Sequence, residues 1–442
     1  MRKYFRIIII LLVLGLILGL GYYWYSTKKI GGLGQNSGES IVDLFPFGGS
    51  KPADLNTPAN NEEESPSKND EIPTGTPALV NKKLTKIVSK PIAGYTYVLS
   101  LREKSLPTEG VVDIQKINTN IPENFEEVPA IRYVEQETGN IYDIMLDTLQ
   151  IKRLSNITIP KLHEAIFSGE NGEYVYLRYL EEDNRTINTY LGKVPVFTGG
   201  GDTESKLTGS FLERGIRDLV VSPDKTKVFY TVPFGDNISG VVMEKDGTKA
   251  SQIFSSVFHG WLPEFSSKNT VLMTTKASAY ASGFNYTLDT KTKKVKKLAG
   301  NIGGLVSKLS IDEKYLAYSN SIENSVILRL LNIKNNTSRD TGLKTIPEKC
   351  SFGGTRMYLY CGVPNFFPPG AYPDDWYKGK VLFSDNIFRI DPDGDVVNTL
   401  LVDLSGESGE QIDAVSLAID TSESYLLFIN RSDNSLWKYN LK

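Results

Sequence analysis

The pattern of apolar and polar positions changes character twice along the chain. From Ile7 to Tyr25 there is no charge and almost no polar interruption, the core reading IIIILLVLGLILGLGYYW. From residue 30 to about residue 80 apolar positions are sparse and aperiodic. From about residue 81 onward, short runs rich in β-branched and aromatic residues alternate with polar turn clusters, the pattern of consecutive strands and hairpins.

The first segment predicts a membrane-spanning helix. Eighteen such residues rise roughly 27 Å, close to the hydrocarbon thickness of a bilayer. Arg2, Lys3 and Arg6 precede it, Tyr22, Tyr23, Trp24 and Tyr25 end it at interfacial depth, and no small-residue cleavage site follows, so an uncleaved signal anchor is expected. Residues 1–6 are then a cytoplasmic stub and the C-terminal bulk lies on the outer side of the membrane. Residues 26–80 carry Gly31-Gly32, Gly48-Gly49, many Pro, Asn and Ser, and mostly acidic charge, a composition that cannot offset chain entropy by burial and is expected to be a flexible linker. Its one apolar cluster, Ile41 to Phe47, is either a docking motif or a stray apolar patch.

The third segment, residues 81–442, is built from a repeat. Its clearest unit is LVVSPDKTKVFYTV, an apolar strand, a turn at Ser222-Pro223-Asp224-Lys225 and a second apolar strand. Weaker copies place their turns at Ser168, Ser266, Ser310, Ser351 and Asp420. Neighbouring anchors such as Ser222, Ser266 and Ser310 lie about 44 residues apart, the length of one four-stranded propeller blade. The wider spacings before Ser222 and after Ser351 read as insertions. Outer-strand hairpins recur too, as in YTLDTKTKKVKKLAG and YDIMLDTLQIKRLSN. Six anchors and the strands of residues 87–156 predict seven blades, hence an all-β, seven-bladed β-propeller. The C-terminal LWKYNLK looks like a third strand lacking a fourth, and NKKLT at 81–85 resembles the fourth-strand ends KKLAG and KRLSN. The N-terminal segment is therefore expected to close the last blade.

The Ser222-Pro223-Asp224 turn between two apolar strands resembles the repeat of TolB-like and WD-repeat-like bacterial propellers. That resemblance spans about 360 residues and implies a propeller with a partner-binding face. It does not imply membership of the Tol system, since a membrane anchor stands where TolB proteins carry an N-terminal α/β domain.

Charge and composition then narrow the chemistry. A net charge of −3 provides no field for a nucleic-acid partner. Two histidines, His163 and His259, are expected at the starts of innermost strands, as structural residues or as parts of a joint metal site for which no acidic pair at ligand spacing is seen. No G-x-S-x-G elbow occurs, so no hydrolase domain of the kind attached to some propellers is expected. A glycosidase of paired loop carboxylates stays open. Asp391-Pro392-Asp393-Gly394-Asp395 reads as a hairpin turn rather than a calcium loop. Cys350 and Cys361 flank one strand-turn-strand copy and are either bridged or two buried thiols. The Pro-rich stretch of residues 363–380 carries Phe366, Phe367, Tyr372, Trp376 and Tyr377 beside Asp374 and Asp375. It is a candidate binding loop, or else a lid that packs its rings onto neighbouring blades, the reading preferred because so many rings seldom stay wet. These readings lead to a non-enzymatic, membrane-tethered platform in the cell envelope that binds another protein and needs no metal or cofactor; cell-wall carbohydrate binding or processing is the alternative.

Overall fold

The computed structural model describes residues 82–104, 125–195, 206–393 and 398–442. The expected stub (1–6), transmembrane anchor (7–25) and linker (26–80) lie outside the described residues. Among the described residues no helix is long and apolar enough to cross a membrane.

The described residues form seven antiparallel four-stranded sheets. Strands Ile92–Glu103, Phe125–Glu135, Ile141–Met145 and Ile151–Arg153 form blade 1. Blades 2 to 6 begin at Leu162, Asp218, Trp261, Ser307 and Cys350, each adding its strands outward in chain order. Blade 7 takes Ala414–Ile419, Tyr425–Asn430 and Leu436–Asn440 from the C-terminus and its fourth strand, Leu84–Val88, from the N-terminal side. The register is antiparallel, with Leu84 opposite Tyr439 and Lys86 opposite Trp437. Both expectations, seven blades and closure by the N-terminal segment, are met; the closing strand runs a few residues later than 81–85.

The repeated turn has a hydrogen-bonding reason. In blade 3 Ser222 Oγ donates to Asp224 Oδ1 at 2.6 Å and accepts from the Lys227 amide at 3.0 Å. In blade 5 Ser310, Asp312 and Tyr315 repeat this at 2.7 and 3.0 Å. Each Ser-x-Asp unit thus satisfies the backbone of a tight hairpin whose next residue, Lys225 or Glu313, has positive φ. In blade 6 the anchor was expected at Ser351 and the hairpin to fold around Gly353-Gly354, and the structure meets the second expectation. Ser351 lies within strand Cys350–Gly353, and the turn is made at Gly354, with φ +78°. Gly354 lies about 44 residues after Ser310, so the turn keeps the period while glycine replaces the Ser-x-Asp bonding.

Alternation along the strands packs one blade onto the next. Ile131, Tyr133 and Ile144 of blade 1 meet Leu427 and Leu436 of blade 7, while Leu84, Phe428 and Trp437 of blade 7 meet Tyr360 and Ile387 of blade 6. Because each blade runs antiparallel, all first-to-second and third-to-fourth strand turns fall on one face of the ring. Second-to-third connections and the links between blades fall on the other. We call these the turn face and the insertion face. The chain reaches Leu84 from the turn face, and Lys442 ends there as well.

Cys350 and Cys361 stand opposite one another on the first two strands of blade 6, Cα atoms 4.1 Å apart, and are joined by a disulfide. Closing a loop of sequence separation 11 restricts the unfolded chain by about 3 kcal/mol. Reduction under native conditions is expected to lower the melting temperature by several degrees, measured by thermal denaturation with and without reductant; superimposable curves would contradict this.

Candidate functional site: the insertion face

Between strands Tyr358–Pro364 and Asp385–Ile390 of blade 6 the chain makes the aromatic insertion expected from the sequence. Its centre is a single helical turn, Asp374–Tyr377. Tyr372 is 0% and Trp376 4% exposed, and both join Phe383, Val306, Val326 and Ile346 in one apolar cluster. Phe367 packs on that cluster with its ring centroid 4.3 Å from Tyr372 and 5.0 Å from Phe383. Tyr377 is partly buried and donates its hydroxyl to Glu348. Of the candidate loop's rings, Phe366 alone stands in solvent, at 72% exposure. The two carboxylates serve structure. Asp374 accepts from Ser278 Oγ at 3.1 Å and the Ala279 amide at 2.7 Å in blade 4. Asp375 accepts from the Ala371 amide at 2.9 Å and pairs with Lys380 at 2.9 Å. Blade 5 holds the insertion through Ser321 Oγ, which donates to the Tyr372 carbonyl, and through Gly370 N–H donating to the Asn324 carbonyl at 3.1 Å. The stretch is a strap over the inner ends of blades 5 to 7 that reaches blade 4. Burial of its rings, roughly 1.5–3 kcal/mol for a fully buried large side chain, is what holds it down.

Beneath the strap is a charged cluster that sequence reasoning missed. Lys349 precedes the first strand of blade 6, Asp385 opens its third strand, and Asp413 precedes the first strand of blade 7. All three side chains are buried, at 0%, 0% and 1% exposure. Lys349 Nζ lies 2.7 Å from Asp385 Oδ2 and also contacts Asp413 Oδ1. Asp413 Oδ2 accepts from Trp376 Nε1 at 2.9 Å and from the Phe383 amide at 3.2 Å. Arg431 stacks on Trp376 and lies 3.9 Å from Asp413. Burial pushes the Asp385 carboxyl up to about 6, opposed by Lys349 and reinforced by Asp413; its Oδ1 has no hydrogen-bond partner. No local signal marks these residues, because tertiary register alone brings them together.

Further acids line the inner strands. Desolvation raises Glu264 and Glu348 above the ordinary carboxylate value. Glu264, with Lys308 Nζ 4.0 Å away, is still 32% exposed and Glu348 is exposed, so solvent damps both effects. His163, on the first strand of blade 2, is exposed. His259 precedes the first strand of blade 4, with Nε2 3.0 Å from the Asp236 carbonyl oxygen. The two sit on different blades, and among the described residues no group of three His, Cys, Asp or Glu is placed to hold a metal ion. Asp391 and Asp393 begin the connection between the last two strands of blade 6, where Asp391 accepts from the Asp393 amide at 3.0 Å; Gly394 and Asp395 lie outside the described residues.

The same face carries an arc of exposed apolar side chains. Phe211 ends the fourth strand of blade 2, Phe234 the second strand of blade 3, and Val257 and Phe258 lie on the link to blade 4. Tyr280 and Ile322 sit at the second-to-third connections of blades 4 and 5, and Phe366 and Leu382 on the strap. Phe234, Val257 and Tyr280 are 73%, 82% and 81% exposed. Each alone is ordinary; eight of the twelve exposed large apolar side chains among the described residues gather on this face, with Leu99, Val295, Ile311 and Leu400 elsewhere.

No protein-family model matches the chain, and no curated protein matches it. Solved propellers do match. TolB from Acinetobacter baumannii is 12% identical with a TM-score of 0.38, over 71% of this chain and 65% of that one. An oligogalacturonate lyase from Vibrio parahaemolyticus is 11% identical with a TM-score of 0.46, over 71% and 86%. An uncharacterized protein from Listeria monocytogenes is 11% identical with a TM-score of 0.44, over 71% and 90%. This chain thus spans 65% of the TolB structure's length. At these identities the likeness is one of fold.

The raised Asp385 carboxyl generates a signed pH prediction. Between about pH 4, where an unfolded aspartate releases its proton, and about 6, the native chain holds a proton that the unfolded chain has lost. The stability due to this group is complete below the unfolded value and is lost as pH rises through the folded one. Asp385→Asn is expected to remove that dependence, so its denaturation free energy should gain on the wild type by on the order of 1–3 kcal/mol from pH 4 to 7. Parallel stability curves for the two proteins would contradict it.

Proposed function

We propose that the ring is a non-catalytic binding platform for another protein, held at the outer side of a bilayer by the segment Ile7–Tyr25 and the linker of residues 26–80, in the cell envelope. One observation carries the reading: the exposed apolar arc and the strap share one face of the ring, while the chain joins the ring from the other. A tether attached at the turn face leaves the insertion face free to meet a partner. Scattered apolar side chains of this kind, spread over five successive blades, suit a broad protein surface. Two of the rings that would have stacked on a sugar, Tyr372 and Trp376, are buried on the underside of the strap, which favours a protein over a glycan as the partner. The buried Lys349, Asp385 and Asp413 are closed to solvent, which favours a structural over a catalytic use of the strongest charge cluster.

Site-specific photo-crosslinking in intact cells tests this. A photoreactive residue at Tyr280 or Phe366 is expected to capture a discrete protein partner, and one at Ile311 on the turn face to capture none. The combined substitution Phe234→Ser, Tyr280→Ser and Phe366→Ser should cut capture from Val257 by at least about tenfold, with the melting temperature unchanged. Equal capture from both faces, or none from the insertion face, would overturn the proposal.

A further inference from the structure

The cluster under the strap has the composition of a reaction site as well as that of an ion-pair network. One amine and two carboxyl groups are enclosed without solvent, and the amine touches both acids. The rings of Trp376 and Phe383 flank Lys349 Nζ at 5.6 and 5.2 Å. Two N–H donors, Trp376 Nε1 and the Phe383 amide, point at one oxygen of Asp413, Oδ2. The other oxygen, Oδ1, faces the amine. Asp385 binds the amine through Oδ2 and keeps Oδ1 unpartnered.

We infer that Lys349 and Asp413 become joined by an isopeptide bond that staples blade 6 to blade 7, with Asp385 carrying the proton. Passing one proton from the Lys349 ammonium to the Asp413 oxygen it touches, Oδ1, gives the neutral amine and neutral acid that the reaction consumes. The Nζ lone pair then attacks Asp413 Cγ. Oδ2 gathers negative charge in the tetrahedral intermediate, where the two N–H donors stabilise it as an oxyanion hole does. Asp385 takes a proton from the attacking nitrogen and delivers one to Oδ1, which leaves as water. One C–N bond forms, one C–O bond breaks and one water is released; nothing is oxidised or reduced, and no co-reactant is needed. Enclosure supplies the driving conditions, since the reacting groups are held together at high effective concentration and the site favours loss of water. Burial also raises the Asp385 carboxyl, which suits it to shuttle a proton. The product removes an ion pair from the interior and links the blade that carries the disulfide to the blade that closes the ring.

Intact mass of the full-length chain, with Cys350 and Cys361 reduced and alkylated, decides the matter. The expected mass is lower than the sequence mass by one water. A tryptic map should contain a branched peptide joining the Lys349 and Asp413 segments and no cleavage after Lys349. Asp413→Ala and Asp385→Asn should both show the full sequence mass, and Asp385→Asn, which keeps the shape of the site, should still fold. An unmodified wild-type mass, or a linear peptide ending at Lys349, overturns the bond and leaves an ordinary buried ion cluster; complete linkage in Asp385→Asn overturns the role given to Asp385. Should either variant fail to fold, the wild-type mass and map still decide. Neither outcome bears on which face binds a partner.

Discussion

Pairing of Leu84–Val88 with Leu436–Asn440 is the interaction on which the rest of the structure depends. A four-stranded blade exposes apolar side chains on both sheet faces and is stable only between two others, so an open arc would leave the outer faces of its terminal blades wet. Closing blade 7 with a strand from the other end of the described chain removes that defect and ties the ring shut non-locally. Leu84, Trp437 and Tyr439 are buried in the process, each worth roughly 1.5–3 kcal/mol.

Closure also dictates sidedness. Once the closing strand runs from the turn face to the insertion face, the preceding chain must join on the turn face. Antiparallel alternation then sends every second-to-third connection the opposite way. The strap of blade 6, the exposed Phe234, Tyr280 and Ile322, and the ends of the inner strands that carry Glu348 and Asp413 are therefore gathered on one side by topology alone. The Ser-x-Asp hairpins of Ser222 with Asp224 and Ser310 with Asp312 lie on the opposite, turn face.

What was legible in the sequence follows from the range of the interactions involved. The repeat could be read because Ser222 with Asp224, and Ser310 with Asp312, solve a local backbone problem with residues two positions apart. The closing strand could be read because Leu436–Asn440 lacked a fourth partner and residues 81–85 resembled one. In blade 6 the anchor Ser351 lies within the strand, and the turn was legible instead from the glycine pair Gly353-Gly354, whose backbone freedom makes it without side-chain bonding. The strap was visible as a Pro-rich aromatic stretch, but whether Tyr372 and Trp376 are wet or dry depends on Ala277, Val306 and Ile346, far away in the chain. Lys349, Asp385 and Asp413 were invisible for the same reason: nothing near any one of them in sequence announces the other two. The apolar arc escaped as well, because no single exposed Phe or Val is unusual.

Amide hydrogen exchange of the full chain tests ring closure most directly. The account predicts that the amides of Leu84–Val88 exchange as slowly as those of Leu436–Asn440 and are released in the same global unfolding step. Fast exchange of Leu84–Val88, typical of a frayed terminus, with protection retained in Leu436–Asn440, would contradict it.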